Sequence, residues 1–292
     1  TCGGYRMKSS DRHQDFGRSP ANSRRRGQKL FDDPARFEQR AGLPEDYCRR
    51  IASAVLEIGE IESGDLIVEI GPGAGQVGQW IGAPARYVGL DLSREMLKQF
   101  KERSGDSSDS RVLVQTDANR HWPLKDGVAR AVFGSRALHL LEHEHVASEV
   151  FRVAAPKGAT LIIARVEREP DSMRARMAKE MHERLRRHGF EGRRAERHNP
   201  KLFDSFQRRG AAILQPITIA RWKVSSSPRQ SLDSWRSLTG LGGIPLAAEI
   251  QNEILAELEA WALEMFGGLD QRFESEETYV LRPLRVPPAQ ET

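Results

Sequence analysis

The sequence predicts an α/β protein built on a doubly wound, mostly parallel sheet. Short apolar runs of strand length alternate with segments of helical length along residues 65–166. The first run, LIVEIG, is apolar almost throughout and ends in glycine, which is typical of a parallel strand buried on both faces. Strands and helices that alternate at this spacing form βαβ units with right-handed crossovers. We therefore expect one main domain over residues 31–292, with its core at about 65–166 and a cap and the last strands at about 167–292.

The individual elements follow from local patterns. Pro44 marks the start of a helix with one apolar face. Strands are then expected over residues 66–71, 87–91, 112–117, 131–135 and 159–166, and helices over residues 76–81, 93–103 and 142–152. Beyond them, the i, i+4 stripe Met173, Met177, Met181 and Leu185 indicates a helix that packs through one face, and this is favoured over a substrate surface. A possible strand near residues 211–219, a long helix over 247–266 and a strand over 277–284 complete the pattern.

Composition and charge exclude some classes of protein. With 38% hydrophobic and 29% charged residues and no run of ~20 apolar residues, the chain has no expected membrane association. The net charge of +4 arises from 45 basic against 41 acidic residues, and much of the excess lies in residues 1–30, which we expect to be a disordered basic tail. Nucleic acid is not favoured as a partner. Two cysteines make no disulfide framework, which fits the cytoplasm. The sequence does not determine the oligomeric state.

The residues that indicate chemistry lie in the stretch VEIGPGAGQVGQWIGAPARYVGLD. Glu69 ends the first strand, and glycines follow at alternate positions, Gly71, Gly73 and Gly75. Glycines at this point allow the backbone to approach a ligand closely. Asp91 ends the second strand, where a carboxylate can accept hydrogen bonds from ribose hydroxyls. The ligand is therefore expected to contain a nucleoside.

Two kinds of nucleoside cofactor compete for this turn. The segment GAGQVG also satisfies the GxGxxG pattern of nicotinamide enzymes, which is weak evidence alone. Three features favour a sulfonium cofactor instead. Glu69 precedes the glycines directly, where a carboxylate suits a sulfonium-bearing amino acid better than a pyrophosphate. Asp117 ends the third strand, where it can accept from an adenine amino group. The segments ALHL and PKG flank the fourth and fifth strands.

Taken in order, EIGPGAG, GLD, TDANRHWPL, SRALHLL and RVAAPKGATLII resemble the class I S-adenosylmethionine-dependent methyltransferases, most closely the type 11-like branch that modifies small molecules. The resemblance implies a Rossmann-like, seven-stranded sheet of order 3-2-1-4-5-7-6 with an antiparallel last strand. It also implies a helical cap made by the N-terminal helix and by insertions after the fifth and sixth strands. The implied cofactor is S-adenosylmethionine, and the residues expected to bind it are Glu69, Gly71, Gly73, Gly75, Asp91, Leu92, Asp117, Ala118 and Ser135.

Within this resemblance, Glu69 and the glycine turn would bind the methionine part, Asp91 the ribose and Asp117 with Ala118 the adenine. His139 follows the fourth strand at the edge where open α/β sheets bind ligands, so it is our candidate general base, although a structural role fits equally well. Candidates for lining the acceptor pocket are Arg136, Trp222 and Trp235. In-line displacement at a sulfonium needs no metal, and HLLEHEHVA lacks the order of a zinc motif, so no metal is expected.

Two departures from the family pattern keep alternatives open. Ala129 and Arg130 replace the usual aromatic and acidic pair at the fourth strand, and Gly158 is followed by Ala159 instead of a second glycine. The expected function is methyl transfer to a small-molecule acceptor. The alternatives are an RNA methyltransferase that uses the basic tail, a nicotinamide-dependent oxidoreductase and a cofactor-binding protein without catalysis.

Overall fold

The structure, a computed structural model, describes residues 42–105, 111–190, 195–238 and 240–288, without the side chains of residues 139 and 195–199. Its strands are β1 (Leu66–Ile70), β2 (Arg86–Asp91), β3 (Arg111–Gln115), β4 (Ala129–Ser135), β5 (Ala159–Arg168), β6 (Ala212–Ile213), β7 (Ile217–Ser226) and β8 (Phe273–Val286). Its α-helices are α1 (Glu45–Ile58), α2 (Arg94–Ser104), α3 (His143–Val153), α4 (Met173–Arg187), α5 (Ala195–Arg208), α6 (Pro228–Arg236) and α7 (Ala248–Phe266). The tail predicted over residues 1–30 lies outside the described residues.

The sheet has the order β3-β2-β1-β4-β5-β8-β6, and β7 also pairs with β8. Strands β1 to β5 are parallel, whereas β8 is antiparallel to β5 and pairs with β6 and β7 on its other side. Because β6 and β7 both lie against β8, they are two parts of the predicted sixth strand. They are separated by a segment that contains Pro216, which has no N–H for a strand ladder. The predicted order 3-2-1-4-5-7-6 and the antiparallel last strand are confirmed, with the sixth strand in two pieces.

The α-helix predicted over residues 76–81 is wrong, because the structure has only a 3-10 turn there, Gly78–Trp80. Gly78 packs so tightly that a Cβ on it would collide with the Tyr87 hydroxyl and the Glu69 carboxylate. Ile81 already has extended backbone angles, φ −93° and ψ 112°. The contact with β2 and the glycine content of the segment therefore override its helical periodicity.

Helices cover both faces of the sheet, as the doubly wound prediction requires. Along β1, Leu66, Val68 and Ile70 belong to one buried cluster, which includes residues of α3 and α5. Ile67 belongs to the opposite cluster, which includes residues of α1 and α2. Successive strand residues point to opposite faces, so this alternation places a separate core on each side of the sheet. The carboxyl ends of β1 to β4 are left at one edge.

A third buried cluster forms the helical cap. Its residues come mainly from α4, which follows β5, and from α6, α7 and the segments that flank them after β7. Met173, Met177 and Met181 are all buried in it, which confirms that the methionine stripe packs against other helices. None of the described helices, cap included, combines the length and the apolar character that crossing a membrane requires.

Candidate active site

The glycine turn after β1 has left-handed backbone at all three predicted positions, with φ of +65° at Gly71, +57° at Gly73 and +75° at Gly75. Two of the glycines are required by packing. A Cβ on Gly71 would lie 2.5 Å from the Cβ of Ala137, and one on Gly75 would collide with the ring of Phe100. At Gly73, in contrast, no atom of the described residues lies within 4 Å of where a Cβ would be. The tip of the turn is thus the part that a ligand can approach.

Asp91, at the end of β2, holds this turn in place. One carboxylate oxygen, Oδ2, accepts a hydrogen bond from the Gly73 N–H at 2.9 Å, and Oδ1 accepts from the Ser93 N–H at 2.9 Å. Ser93 in turn caps α2, since its Oγ accepts from the Met96 N–H. Leu92, between them, is 44% exposed. The carboxylate therefore joins the tip of the turn to the start of α2, and its predicted bond to ribose stays a prediction.

Asp117 lies beside Asp91 at the same edge of the sheet. The Thr116 N–H donates to the Asp91 carbonyl at 2.8 Å and so joins the ends of the two strand segments. Asp117 Oδ1 accepts from the Asn119 N–H at 2.9 Å, and its side chain is 24% exposed. Ala118 is buried, and its carbonyl accepts from the indole N–H of Trp122. Both carboxylates predicted for the nucleoside are therefore brought to one edge.

The Glu69 side chain lies beneath the turn, away from solvent. It is 2% exposed, and its Oε2 accepts a hydrogen bond from the Tyr87 hydroxyl at 2.6 Å. Burial raises the pKa of Glu69 to about 7, against the effect of that hydrogen bond, and burial also raises the pKa of Tyr87 well above its usual value. Tyr87 was not predicted as a site residue. The hydrogen bond between Tyr87 and Glu69 joins β2 to β1 directly under the turn.

Ser135, the last residue of β4, is bonded to a second tyrosine that the sequence did not indicate. Its Oγ lies 2.6 Å from the hydroxyl of Tyr279, which is fully buried on β8. Burial raises the pKa of Tyr279 to about 12, so the phenol stays protonated at neutral pH. Ser135 is thus placed next to the glycine turn, one strand further along the sheet.

The predicted pocket residues fall in three different places. Arg136 follows β4 directly, and its guanidinium Nη2 lies 3.4 Å from Oε1 of Gln76, just after the glycine turn. Trp222 packs in the α1 cluster, with its ring centroid 5.7 Å from that of Tyr47. Trp235 packs in the cap cluster. The two tryptophans therefore belong to separate cores, and their predicted role in one pocket gains no support from this placement.

His139, the candidate base, lies in the 3-10 turn Leu138–Leu140 after β4, and its side chain is outside the described part of the structure. Its role stays a prediction. Two neighbours weighed for a metal site are engaged elsewhere. Glu144 forms ion pairs with Arg208 and Arg209, and His145 Nε2 lies 2.8 Å from the Arg120 carbonyl oxygen.

A cleft of about 410 Å³ opens between the start of α1, the turn after β1 and the end of α2. It is lined by Gly42, Leu43, Glu45, Cys48, Gln76, Gln79, Trp80 and Arg103. Cys48 is 3% exposed, and burial raises the pKa of its thiol to about 11, so it is not a thiolate at neutral pH. The volume of the cleft is in the range of small-molecule binding sites.

The departure at Ala129 and Arg130 lies away from this edge. Both residues are at the start of β4, and Ser135 is at its end. Arg130 donates to Glu60 Oε2 at 2.7 Å and to the Gly158 carbonyl at 3.2 Å. Arg130 therefore forms an ion pair near the amino end of β4, away from the carboxyl ends of the strands where the site lies. This departure gives no reason to doubt the site.

Comparison with known proteins agrees with this geometry. Residues 68–162 match the family described as "Methyltransferase domain". No sequence among curated proteins matches the chain significantly. A solved structure of a candidate methyltransferase from Bacillus halodurans C-125 is similar, with a TM-score of 0.53, 16% identity and coverage of 81% of this chain and 98% of that chain.

A second similar structure is phosphoethanolamine N-methyltransferase 2 from Haemonchus contortus, in complex with phosphomonomethylethanolamine and S-adenosylhomocysteine. Its TM-score is 0.50 at 14% identity, and the match covers 90% of this chain and 60% of that chain. At such identities the two structures show the fold. The family match covers the segment with the glycine turn, Asp91, Asp117 and Ser135, and it favours the sulfonium cofactor over a nicotinamide.

Proposed function

We propose that this chain, an S-adenosylmethionine-dependent methyltransferase of class I by its domain and fold, transfers the cofactor's methyl group to a small-molecule acceptor by in-line displacement. The observation that carries the proposal is the row of polar groups at one edge of the sheet. Asp117 after β3, Asp91 at the end of β2, Gly73 after β1 and Ser135 at the end of β4 follow one another in this order across four adjacent strands. Ligands of open α/β sheets bind outside the carboxyl ends of the strands.

The residues present fit the cofactor. Asp91 accepts from the backbone N–H groups of Gly73 and Ser93, which fixes its carboxylate at the edge of the sheet where a ribose would lie. Asp117 is partly exposed beside it and can accept from an adenine amino group. Open space at Gly73 leaves room for the chain that links ribose to the amino acid.

When bound, the cofactor supplies a methyl group activated by its sulfonium. The chain's own task is to hold that methyl group in line with the acceptor and to exclude water, and orientation alone removes several kcal/mol from such a barrier. Cys48 and Tyr279 stay protonated at neutral pH because burial raises the pKa of each. We therefore assign neither as nucleophile or base, and His139 is our candidate for an acceptor that must lose a proton.

The cofactor part is tested by calorimetry with S-adenosylhomocysteine and NAD⁺. We expect S-adenosylhomocysteine to bind and NAD⁺ not to bind. Asp117→Asn should weaken S-adenosylhomocysteine binding by about tenfold, the loss of one hydrogen bond to a charged group. Asp126→Asn is the matched control, because Asp126 is an exposed ion-pair partner of Arg152. Binding of NAD⁺ alone would contradict the proposal.

The acceptor part is tested with labelled cofactor. Purified protein is incubated with a cell metabolite extract and S-adenosylmethionine that carries an isotopic methyl label, and products are identified by mass spectrometry. A labelled small molecule that depends on the protein is the expected result. Label in RNA instead, or binding of the cofactor without any transfer, would support the alternatives.

A cytoplasmic location also belongs to this proposal. It rests on cysteine usage, since Cys48 is a free, buried thiol. Fractionation of cells that express the tagged protein would test it, and recovery from an oxidising compartment would contradict it.

A further inference from the structure

The loop after β3 carries Asp117, and side chains of α3 hold the backbone of this loop. Glu149 and Arg152 lie one helical turn apart on α3, and both contact Trp122. Glu149 Oε2 accepts from the Trp122 N–H at 2.6 Å, and Arg152 Nη2 donates to the Trp122 carbonyl at 3.1 Å. Arg152 Nη1 also donates to the Leu124 carbonyl at 2.8 Å. The backbone on both sides of Trp122 is therefore fixed by side chains of one helix.

Glu149 and Arg152 also bind one another. Two hydrogen bonds join them, from Arg152 Nε to Glu149 Oε1 at 3.0 Å and from Nη2 to Oε2 at 2.6 Å. Two exposed side chains complete the surroundings of the pair: Asp126 contacts Arg152 at 2.7 Å, and His121 Nδ1 lies 3.4 Å from Glu149 Oε1. Exposed partners contribute little, whereas a carboxylate that is only 5% exposed, as Glu149 is, requires a close partner for its charge. Arg152 is that partner.

The indole of Trp122 extends this constraint to the edge of the sheet where the nucleoside is proposed to bind. The ring is fully buried, and its Nε1–H donates to the Ala118 carbonyl at 3.1 Å. Ala118 directly follows Asp117, whose carbonyl accepts from the Arg120 N–H at 2.8 Å and whose Oδ1 accepts from the Asn119 N–H at 2.9 Å. The turn that carries the Asp117 carboxylate is thus held by its own backbone and, through Ala118, by Trp122.

The partners of this ion pair distinguish it from ordinary core packing. Within the described residues, the polar contacts of Glu149 and Arg152 outside α3 are with backbone atoms of residues 122–124 and with the two exposed side chains. Apolar packing on the same helix is supplied by Val146 and Val150, which are fully buried. A buried ion pair is often no more stabilising than apolar residues of similar volume. Because this pair directs its hydrogen bonds at one loop, its effect is to fix the geometry of that loop.

We propose that Trp122, held by Glu149 and Arg152, is a positioning residue that sets the preference of the site for adenine over a purine without the amino group. The inference rests on the proposed cofactor site, in which Asp117 accepts from the adenine amino group, and it adds the residues that keep the carboxylate in place. A site built to hydrogen-bond an N–H rejects an analogue that lacks it, because the polar group of the site is left unpaired. A carboxylate that is free to turn towards water loses this discrimination.

The test compares S-adenosylhomocysteine with S-inosylhomocysteine, in which a carbonyl oxygen replaces the amino group of the base. Calorimetry on one sample of the full chain gives both dissociation constants. We expect the wild-type protein to prefer the adenine compound by at least about tenfold, the effect of one hydrogen bond to a charged group. Trp122→Phe keeps a buried aromatic ring and removes the N–H that binds Ala118, so it should lower this preference by about threefold or more.

Glu149→Gln is the second variant and should lower the preference in the same direction. The amide keeps an acceptor for the Trp122 N–H but loses the charge that binds Arg152. Glu144→Gln is the matched control, the same substitution on the same helix at a carboxylate that pairs with Arg208, and it should keep the wild-type preference. Partial unfolding weakens the apparent binding of both compounds by the same factor, so the ratio of the two dissociation constants reports the position of the loop.

Three results would overturn the inference. The first is a wild-type preference that Trp122→Phe and Glu149→Gln both retain, and the second is equal binding of the two compounds by the wild-type protein. The third is a preference that falls as much in Glu144→Gln as in Glu149→Gln. Wild-type protein that binds neither compound would instead contradict the proposed function itself, before any variant is compared.

Discussion

The Tyr87 hydroxyl donates to the Glu69 carboxylate at 2.6 Å, in a position where neither side chain reaches solvent. The bond crosses from β2 to β1 beneath the glycine turn, and Gly78 packs against both groups. A larger residue at position 78 would push the pair apart. The carboxylate therefore supports the turn from below, and the ligand side of the turn is formed by Gly73 and Asp91.

This burial predicts a pH-dependent stability. The pKa of Glu69 is raised by burial from 4.5 to about 7 in the folded state, so the folded chain binds that proton more tightly than the unfolded chain does. The stabilisation is complete below about pH 4.5 and is lost as the pH rises through about 7, with a total of at most about 3 kcal/mol. We expect urea unfolding to show this decline and Glu69→Gln to remove it.

The pKa of Glu144 is shifted in the opposite direction from that of Glu69. Hydrogen bonds from Ser205, Arg209 and Arg208 lower the pKa of Glu144 to about 2, so it contributes to the pH dependence only in stronger acid. Glu57→Gln, an equal change of charge at an exposed position of α1, is the control and should retain the wild-type decline. The same decline in Glu69→Gln would show that another group causes it.

Alanine substitutions at Gly75 and Gly73 should distinguish a glycine that packing requires from a glycine that the ligand approaches. Gly75→Ala places a Cβ against the Phe100 ring and keeps an unfavourable backbone, so we expect a loss of more than about 2 kcal/mol of unfolding free energy. Gly73→Ala faces open space and should cost only about 1–2 kcal/mol for its left-handed backbone. Its main effect should be weaker binding of S-adenosylhomocysteine. Urea titration and calorimetry on both variants measure the two effects, and equal losses of stability would contradict this division.

Patterns along the chain predicted the strands β1 to β5 and the residues at their ends. LIVEIG and YVGLD are short apolar runs that stop at glycine and aspartate, so Glu69 and Asp91 could be placed at one edge without any tertiary information. The order of the strands came from the family resemblance. The split between β6 and β7 was missed, although Pro216 marks it.

Contacts between distant side chains could not be predicted in this way. Tyr279 meets Ser135 only because β8 pairs antiparallel with β5 in a register that sets Tyr279 opposite Val166. A shift of one residue would turn Tyr279 to the other face of the sheet. The 3-10 turn at Gly78–Trp80 has a similar cause, since the contact of Gly78 with Tyr87 comes from the adjacent strand. The left-handed backbone of Arg136 likewise depends on its hydrogen bond to the Ala164 carbonyl of β5. An arginine at this position does not by itself predict that conformation.

The bond between Ser135 and Tyr279 should be measurable as a coupling. Ser135→Ala leaves the buried Tyr279 hydroxyl without its hydrogen bond, and Tyr279→Phe does the same to the partly buried Ser135 hydroxyl. We expect each variant to lose about 1–3 kcal/mol of unfolding free energy. The double variant should lose less than the sum, by about 1 kcal/mol. Because the Tyr279 pKa is raised to about 12, the coupling should not change between pH 6 and about pH 9. Additive losses would mean that the hydroxyls do not stabilise one another.

The role of His139 as general base is the remaining prediction about the chemistry, and the pH dependence of the methyl-transfer rate tests it. A histidine that acts as general base must be unprotonated, so it gives a rate of methyl transfer that rises with pH and then levels off. With the labelled acceptor in hand, His139→Ala should lose this rise and reduce the rate by about 10²-fold or more. His145→Ala is the matched control, since His145 lies on the adjoining helix α3 and its imidazole contacts the Arg120 carbonyl. If His139→Ala keeps the wild-type rate at every pH, orientation by the site suffices and the histidine is structural.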